Sequence, residues 1–386
     1  MKICIISQGF PYPGLPFFTF VGELCKAMAA QGEEIIVVSP QSIFKPILRG
    51  EPKIPFRYTI PVENGKDIVV YTPKVFSVGG IPHIGVKMNY FFTQKAVTNT
   101  IKKYVGDVDV FYGHFFFQGF HALAEAIRRN KPIIVASGET NVTFRKEYTP
   151  RLKEYLNQLK GIIFVSTKNK EEAITAGLTD GTNSILLPNS VDERYFHRMD
   201  RKKCRKDLGY SEEDFIVAFT GYFSYRKGSK RVSDAITKLG EEKIKSIFIG
   251  RNEDGEDVEP NCEGILYKGY MDHDKIPTYL GAADVFVLPT RAEGCPNAVV
   301  EALACGLPVV SSDRKFNYDV LDESNSIMVD PDDVDAISAA IKKLKDNPEL
   351  RKRLSEGALK KAEGLTITER ARKIIAFIKQ QIDYKQ

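Results

Sequence analysis

Glu293 and Glu301 stand with seven residues between them, and the sequence around them predicts where each carboxylate sits. Residues 284–288 and 307–311 are short β-branched runs suited to buried parallel strands. Between them, Pro296 to Cys305 has a helical pattern, with a proline inside its start and Gly306 just past its end. The reading is strand, loop, helix, strand. Glu293 falls in the loop, and Glu301 falls about one and a half turns into the helix, roughly 7 Å along its axis at about 1.5 Å per residue. A helix start carries unpaired N–H groups and positive dipole character. A pyrophosphate could rest on it while one carboxylate reached a ribose and the other a second sugar. Glu301 as a surface glutamate and Glu293 as an ordinary loop acid fit the spacing equally well, so spacing alone leaves both readings open.

The elements that must position these residues follow from the chain's alternation. Apolar runs near 2–6, 34–38, 68–72, 108–112, 132–136, 161–165 and 183–187 are separated by amphipathic stretches such as Phe17 to Ala30. A second series has runs near 215–220, 245–249, 264–267, 284–288, 307–311 and 326–329. Such alternation predicts an α/β chain of two doubly wound parallel sheets, each covered on both faces. The turn-forming Leu187-Pro188-Asn189-Ser190-Val191-Asp192 is the expected boundary. Ligands of open parallel sheets sit at the carboxyl ends of the strands, so function is expected on the loops that follow them.

Bulk composition narrows the classes. At 386 residues with 43% hydrophobic content, two ordinary soluble domains are expected. Fifty-five basic against 50 acidic residues leave +5, too little to argue for nucleic acid as a partner. The cysteines at 4, 25, 204, 262, 295 and 305 form no C-x-x-C pair and read as reduced cytosolic thiols. A strand begins at Lys2 with no leader pattern, and nowhere do eighteen apolar residues run together, so a cytoplasmic, non-spanning protein is expected. The segments Ile43 to Arg49 and Gly79 to Phe92 mix bulky apolar residues with cations. They fit either contact with anionic lipid or a cover for the N-terminal core.

The block from Glu293 to Val309 resembles the E-x7-E signature of the retaining family 4 glycosyltransferases of the GT-B fold, with Gly306-Leu307-Pro308-Val309 as its continuation. The likeness extends from Met1 to the last helix before Gln386, more weakly in the first half. It implies two Rossmann-like domains facing an interdomain cleft. Residues 1–190 would be the acceptor-side domain and 191–365 the nucleotide-sugar donor domain, with 366–386 a helix returning to the first. The resemblance implies that Glu301 binds the ribose, that Glu293 orients the donor sugar, and that Gly294, Cys295, Pro296 and Asn297 line the donor.

In Phe219-Thr220-Gly221-Tyr222-Phe223-Ser224-Tyr225-Arg226-Lys227-Gly228, Lys227 and Gly228 match the Lys-Gly of that family's phosphate-gripping segment. The arginine usual after the first glycine is Tyr222 here. Either Arg226 supplies the guanidinium from another point or the donor is held with fewer charges; a solvated basic loop with Lys230 and Arg231 is the plain alternative. Base readout is expected around Gly250-Arg251 and Gly269-Tyr270. His114 ends a strand that resembles the family's histidine-bearing strand near the transferred sugar. Glu139 and Asn141, after Ser137-Gly138 where the family often has His-Gly, read as acceptor contacts or as turn residues. The loop Ser7 to Phe17 has three prolines where a dinucleotide-binding glycine motif would stand, which argues against a nicotinamide-dependent dehydrogenase. Its Tyr12 and Gly14 are candidates for the acceptor side and the donor phosphate, or members of a stiff connector. Asp107-Val108-Asp109 has the spacing of a metal-holding pair but precedes a strand, so a turn and cap is expected. The histidines offer no metal ligand set.

The expected chemistry is retaining transfer of a sugar from a nucleoside diphosphate sugar, UDP being the better guess, to a hydroxyl of a glycan, a lipid-linked or a small-molecule acceptor. Glu293, Lys227 and His114 carry it, with no metal and no cofactor, in the cytoplasm or at the inner face of the membrane as a peripheral protein. Two rivals remain: a sugar-nucleotide epimerase of GT-B architecture, and a non-catalytic nucleotide-sugar-binding protein.

Overall fold

Both series of apolar runs fold into doubly wound sheets. The structure, a computed structural model, describes residues 1–15, 18–44, 51–76, 84–142, 151–253, 255 and 258–383. It divides into two compact units, one of Met1–Val165, Asn169–Leu187 and Ile367–Gln386, the other of Ser166–Lys168 and Pro188–Thr366.

The first unit contains β1 (Lys2–Ser7), α1 (Thr19–Ala30), β2 (Glu34–Val38), β3 (Gln41–Ser42), β4 (Arg57–Ile60), β5 (Ile68–Tyr71), β6 (Lys74–Val75), α2 (Ile84–Tyr104), β7 (Val110–His114), α3 (Leu123–Arg129), β8 (Ile133–Ser137), α4 (Leu152–Gln158), β9 (Leu159–Phe164), α5 (Thr167–Thr175) and β10 (Ser184–Leu186). Its main sheet runs β10-β9-β8-β7-β1-β2-β5-β4, parallel except for β4 against β5. Cores form on both faces, which explains why the central strands are apolar throughout instead of alternating. Helix α1 shows the matching pattern, burying Val21, Leu24, Cys25, Met28 and Ala29 at helical spacing.

The second unit contains α6 (Arg201–Leu208), β11 (Phe215–Thr220), α7 (Ser229–Leu239), β12 (Ile244–Ile249), β13 (Ile265–Gly269), α8 (Ile276–Ala282), β14 (Val285–Leu288), α9 (Asn297–Ala304), β15 (Val309–Ser312), β16 (Ser326–Val329), α10 (Val334–Asp346) and α11 (Pro348–Ala362). Its sheet is all parallel, in the order β13-β12-β11-β14-β15-β16. The last helix, α12 (Ile367–Asp383), belongs to the first unit and buries Ala371, Ile374, Ile375 and Ile378 in the same core as α1.

Several boundaries differ from expectation. Pro296 is the N-cap of α9 with extended backbone, one residue outside the helix, and Cys305 is its C-cap. Asp284 precedes β14 and is drawn into a buried ion pair instead: Arg205 Nη2 donates to Asp284 Oδ2 at 2.6 Å. Of the two apolar and cationic segments, 45–50 and 77–83 lie outside the described residues, as do Pro16 and Phe17 of the first loop. Among the described residues no helix is long and apolar enough to cross a membrane. The six cysteines are free thiols, Cys262 partly exposed and the others buried.

Candidate functional site

Winding in the second unit reverses between β11 and β14, the neighbours at the middle of the sheet. At such a switch point the loops leave in opposite directions and open a crevice at the carboxyl ends of the strands. The loops after β11 and β14 carry Arg226, Lys227 and Glu293. Lys227 Nζ lies 2.6 Å from Glu293 Oε1, and Arg226 Nη1 lies 2.8 Å from the same oxygen. The Thr290 hydroxyl donates to it at 3.0 Å. Glu293 is 9% exposed, so this carboxylate is largely desolvated and its charge is met by two cations and a hydroxyl.

The two loops are bound closely enough to hold that geometry. The Arg291 N–H donates to Arg226 O at 2.9 Å, Arg226 Nη1 also donates to Ala292 O at 3.1 Å, and Arg231 Nη2 donates to Pro289 O at 2.8 Å. Within the first loop, the Lys227 and Gly228 N–H groups donate to Ser224 Oγ and Ser224 O. Gly228 has a left-handed φ of 82°, and a Cβ there would lie 2.9 Å from Pro289 O. The glycine therefore permits both the turn into α7 and the approach of the β14 loop.

Helix α9 begins at Asn297 with no side-chain cap, and Gly294, Cys295 and Pro296 before it are buried. Asn189 fixes this entry: its Nδ2 donates to Cys295 O at 3.0 Å and to Asn297 Oδ1 at 2.7 Å. Glu301, one turn in from Asn297, pairs through Oε1 with His273 Nε2 at 2.9 Å. Its own side chain is 12% exposed and that of His273 58% exposed, so the pair points from helix to surface.

Beside these loops, three neighbouring strands lead into glycines. The Gly221 N–H donates to Ile249 O and the Gly250 N–H to Gly269 O, both at 2.9 Å. A Cβ on Gly250 would lie 1.9 Å from Gly221 O, so the strand ends are closer than any side chain allows. Above them the Arg251 guanidinium lies 5.7 Å from the Tyr222 ring centre and 5.8 Å from that of Tyr270, both rings exposed.

In the first unit the order reverses between β7 and β1. His114 ends β7 opposite Ser7 of β1 and Ala136 of β8, packed against Phe20 and Phe115. Burial, assisted by the Arg370 charge, pushes its pKa down to about 3, which keeps the imidazole neutral. Its Nδ1 is buried without a partner among the described residues. The next residue, Phe115, has φ 84°, a left-handed conformation unusual for an aromatic residue. After β1, Tyr12 and Leu15 exchange backbone hydrogen bonds across Pro13-Gly14, with φ 77° at Gly14; this is turn chemistry with glycine at its third position. Tyr12 packs edge-on against Tyr58. Glu139 Oε1 accepts from the Phe116 N–H and Oε2 from the Ser137 hydroxyl, both at 2.7 Å, and Asn141 is exposed beside this turn. Asp109 Oδ2 accepts from the Lys2 N–H at 2.6 Å at the amino ends of β1 and β7, and Asp107 is exposed.

Residues 200–361 match the family described as glycosyl transferases group 1. A protein of Bacillus subtilis (strain 168) named for teichuronic acid biosynthesis as glycosyltransferase TuaC is 27% identical over 365 residues, 88% of each chain. A sucrose-phosphate synthase from Thermosynechococcus elongatus shares the fold with a TM-score of 0.76 at 18% identity, covering 100% of both chains. HepE of Anabaena, solved in complex with UDP and glucose, does so with a TM-score of 0.72 at 15% identity, over 98% of this chain and 100% of its own. The fold is GT-B. The group 1 match and the likeness to TuaC support a glycosyltransferase.

In this GT-B chain the structure gathers Arg226, Lys227 and Glu293 into one charge cluster and sets Gly294 to Asn297 and Glu301 along the neighbouring helix. Gly250 and Tyr270 stand with Tyr222 and Arg251 at the adjacent strand ends. Three participants were not legible beforehand. Thr290 is three residues from Glu293 but carries no motif; His273 reaches Glu301 across 28 positions; Asn189 reaches Asn297 across 108. The Pro-Asn-Ser turn was the available signal for Asn189, but it reads as a boundary.

Proposed function

We propose that the protein is a retaining, metal-independent glycosyltransferase. It would move a sugar from a nucleoside diphosphate sugar, with UDP as the diphosphate, to a hydroxyl of a glycan, a lipid-linked or a small-molecule acceptor. The observation that carries this reading is the shared oxygen of Glu293: Lys227 and Arg226 converge on it at 2.6 and 2.8 Å beside a helix start without a side-chain cap. A diphosphate competes for the same two cations with more charge and more oxygens, so its arrival exchanges one anion for another at little desolvation cost. The carboxylate released from them is then available to the hydroxyls of the sugar. Lys227, Arg226 and the first N–H groups of α9 meet the charge that develops on the leaving diphosphate.

Retention rests on the E-x7-E likeness. In the same-face route the leaving phosphate takes the acceptor's proton, and no side chain acts as base. Glu301 would hold the ribose and Tyr270 with Arg251 the base, with Gly14 reaching the donor phosphate. His114 would meet the sugar as a neutral hydrogen-bonding group, and Tyr12, Glu139 and Asn141 would serve the acceptor side. The same reading puts the enzyme in the cytoplasm, peripheral to the inner membrane face when its acceptor is lipid-linked.

The test is a thermal-shift panel of UDP, GDP and ADP on the wild type and on Glu301→Ala, because a ligand that binds the native state raises its melting point. A shift with one diphosphate that Glu301→Ala abolishes supports the donor site. An assay with the matching UDP-sugar, with and without acceptor, then separates transfer from epimerisation, which needs no acceptor. No shift with any diphosphate would overturn the reading.

A further inference from the structure

The second unit has a cavity at the end of its sheet away from Glu293. It has a volume of about 580 Å³ and lies at the amino ends of β14 and β15. Its walls come from the approach to and first turn of α6, the turn before β14, and the first half of α11. That size is in the range of sites for small organic ligands.

The walls are rich in cations: Arg198, Arg201, Lys202, Arg351 and Lys352 line the cavity together with Asp200, Asp284 and Glu356. Two of the three carboxylates are already engaged. Asp284 is held by Arg201, by Arg205 at 2.6 Å and by the Ile216 N–H at 2.8 Å, while Asp200 accepts the Lys203 N–H at 3.0 Å as the N-cap of α6. Among the described residues, Arg198, Lys202 and Lys352 meet no carboxylate. Arg351 is fixed in place, donating to Leu344 O at 2.6 Å and lying 5.5 Å from the centre of the Phe215 ring. A concave wall with several unneutralised cations, one of them a braced guanidinium, suits a multiply charged oxyanion better than a single carboxylate.

We propose that this cavity binds a phosphate-bearing ligand of sugar-phosphate size, independently of the donor loops. The phosphate could belong to a soluble ester or to a lipid headgroup, and both sources present the same chemistry to these residues. Lys202 and Lys352 are exposed, so removing them leaves the fold intact.

The experiment uses the full chain as wild type, as the double variant Lys202→Ala with Lys352→Ala, and as Lys227→Ala. Each is titrated calorimetrically with glucose 6-phosphate and cosedimented with phosphatidylglycerol or phosphatidylcholine vesicles. Expected is binding by the wild type and by Lys227→Ala, and binding roughly 100-fold weaker in the double variant, from two lost charge-assisted contacts. Soluble binding without vesicle capture assigns a free phosphate ester. Capture by phosphatidylglycerol alone, lost in the double variant, assigns a headgroup. No binding of either kind, or binding that the double variant retains at wild-type strength, overturns the proposal.

Discussion

Lys227 Nζ and Glu293 Oε1 lie 2.6 Å apart on loops that leave neighbouring strands on either side of a topological reversal. On the reading proposed above, the carboxylate occupies the cations that a diphosphate would use. On the proposed reading, Glu293→Gln removes the competitor for those cations along with the group that orients the sugar. Turnover is expected to fall by about 10²- to 10³-fold, while UDP binds at least as tightly as in the wild type. Calorimetry with UDP alongside a transfer assay checks this. Loss of UDP affinity together with turnover would show that Glu293 supports the loop and takes no part in handling the sugar.

Lys227→Ala should act on the diphosphate and spare the base. Loss of one charge-assisted contact is expected to weaken UDP binding roughly 10- to 100-fold. Uridine, which lacks the phosphates, should bind both proteins alike. Equal losses for uridine and UDP would place Lys227 outside the phosphate contacts.

Stability should fall on mild acidification because of two buried imidazoles. Burial lowers the pKa of His114 to about 3 and that of His121 to about 4, against about 6.5 unfolded. Below about pH 6.5 the unfolded chain gains protons that the native state refuses, so native stability is complete above that pH and declines below it, down to the folded values. The slope is about 1.4 kcal/mol per pH unit for each group. Melting curves between pH 7 and 5 should show the decline, and His121→Gln should flatten it. An unchanged slope in that variant would mean that His121 already titrates in the native state. For the same reason, no ionisation of His114 is expected in the rate profile over this range.

Arg205 is wholly buried and bonds the carbonyls of Ala282, Ser211, Glu212 and Asp214 as well as the Asp284 carboxylate. Among the described residues, Arg205→Ala leaves that carboxylate with only Arg201 and the Ile216 N–H. The expected loss is about 3–5 kcal/mol in denaturant unfolding, and Asp284→Asn in the same background should recover part of it. A loss below about 1 kcal/mol would mean that water replaces the guanidinium.

The fold was legible where burial on both faces made strands uniformly apolar. Ile3 to Ile6 and Val285 to Leu288 are fully buried runs, and the sequence announces them as such. Strand β4 was not legible, because Arg57-Tyr58-Thr59-Ile60 is a half-exposed antiparallel edge between prolines and lacks that signal. The spacing of Glu293 and Glu301 marked the helix between them, yet the partners of both acids are set by tertiary approach. Neither the 28-residue reach of His273 nor the stacking of Arg251 between Tyr222 and Tyr270 follows any local period.

Gly221, Gly250 and Gly269 also bear on how such a protein can change. With the Gly250 Cα unable to bear a methyl group without displacing the Gly221 carbonyl, the floor beside the charge cluster is closed to ordinary mutation. Variation there is confined to the rim, where Tyr222, Arg251 and Tyr270 stand exposed and can be exchanged without moving the backbone. If the proposed base site is right, drift toward a different base would proceed through these three side chains, with the main-chain surface beneath them inherited unaltered.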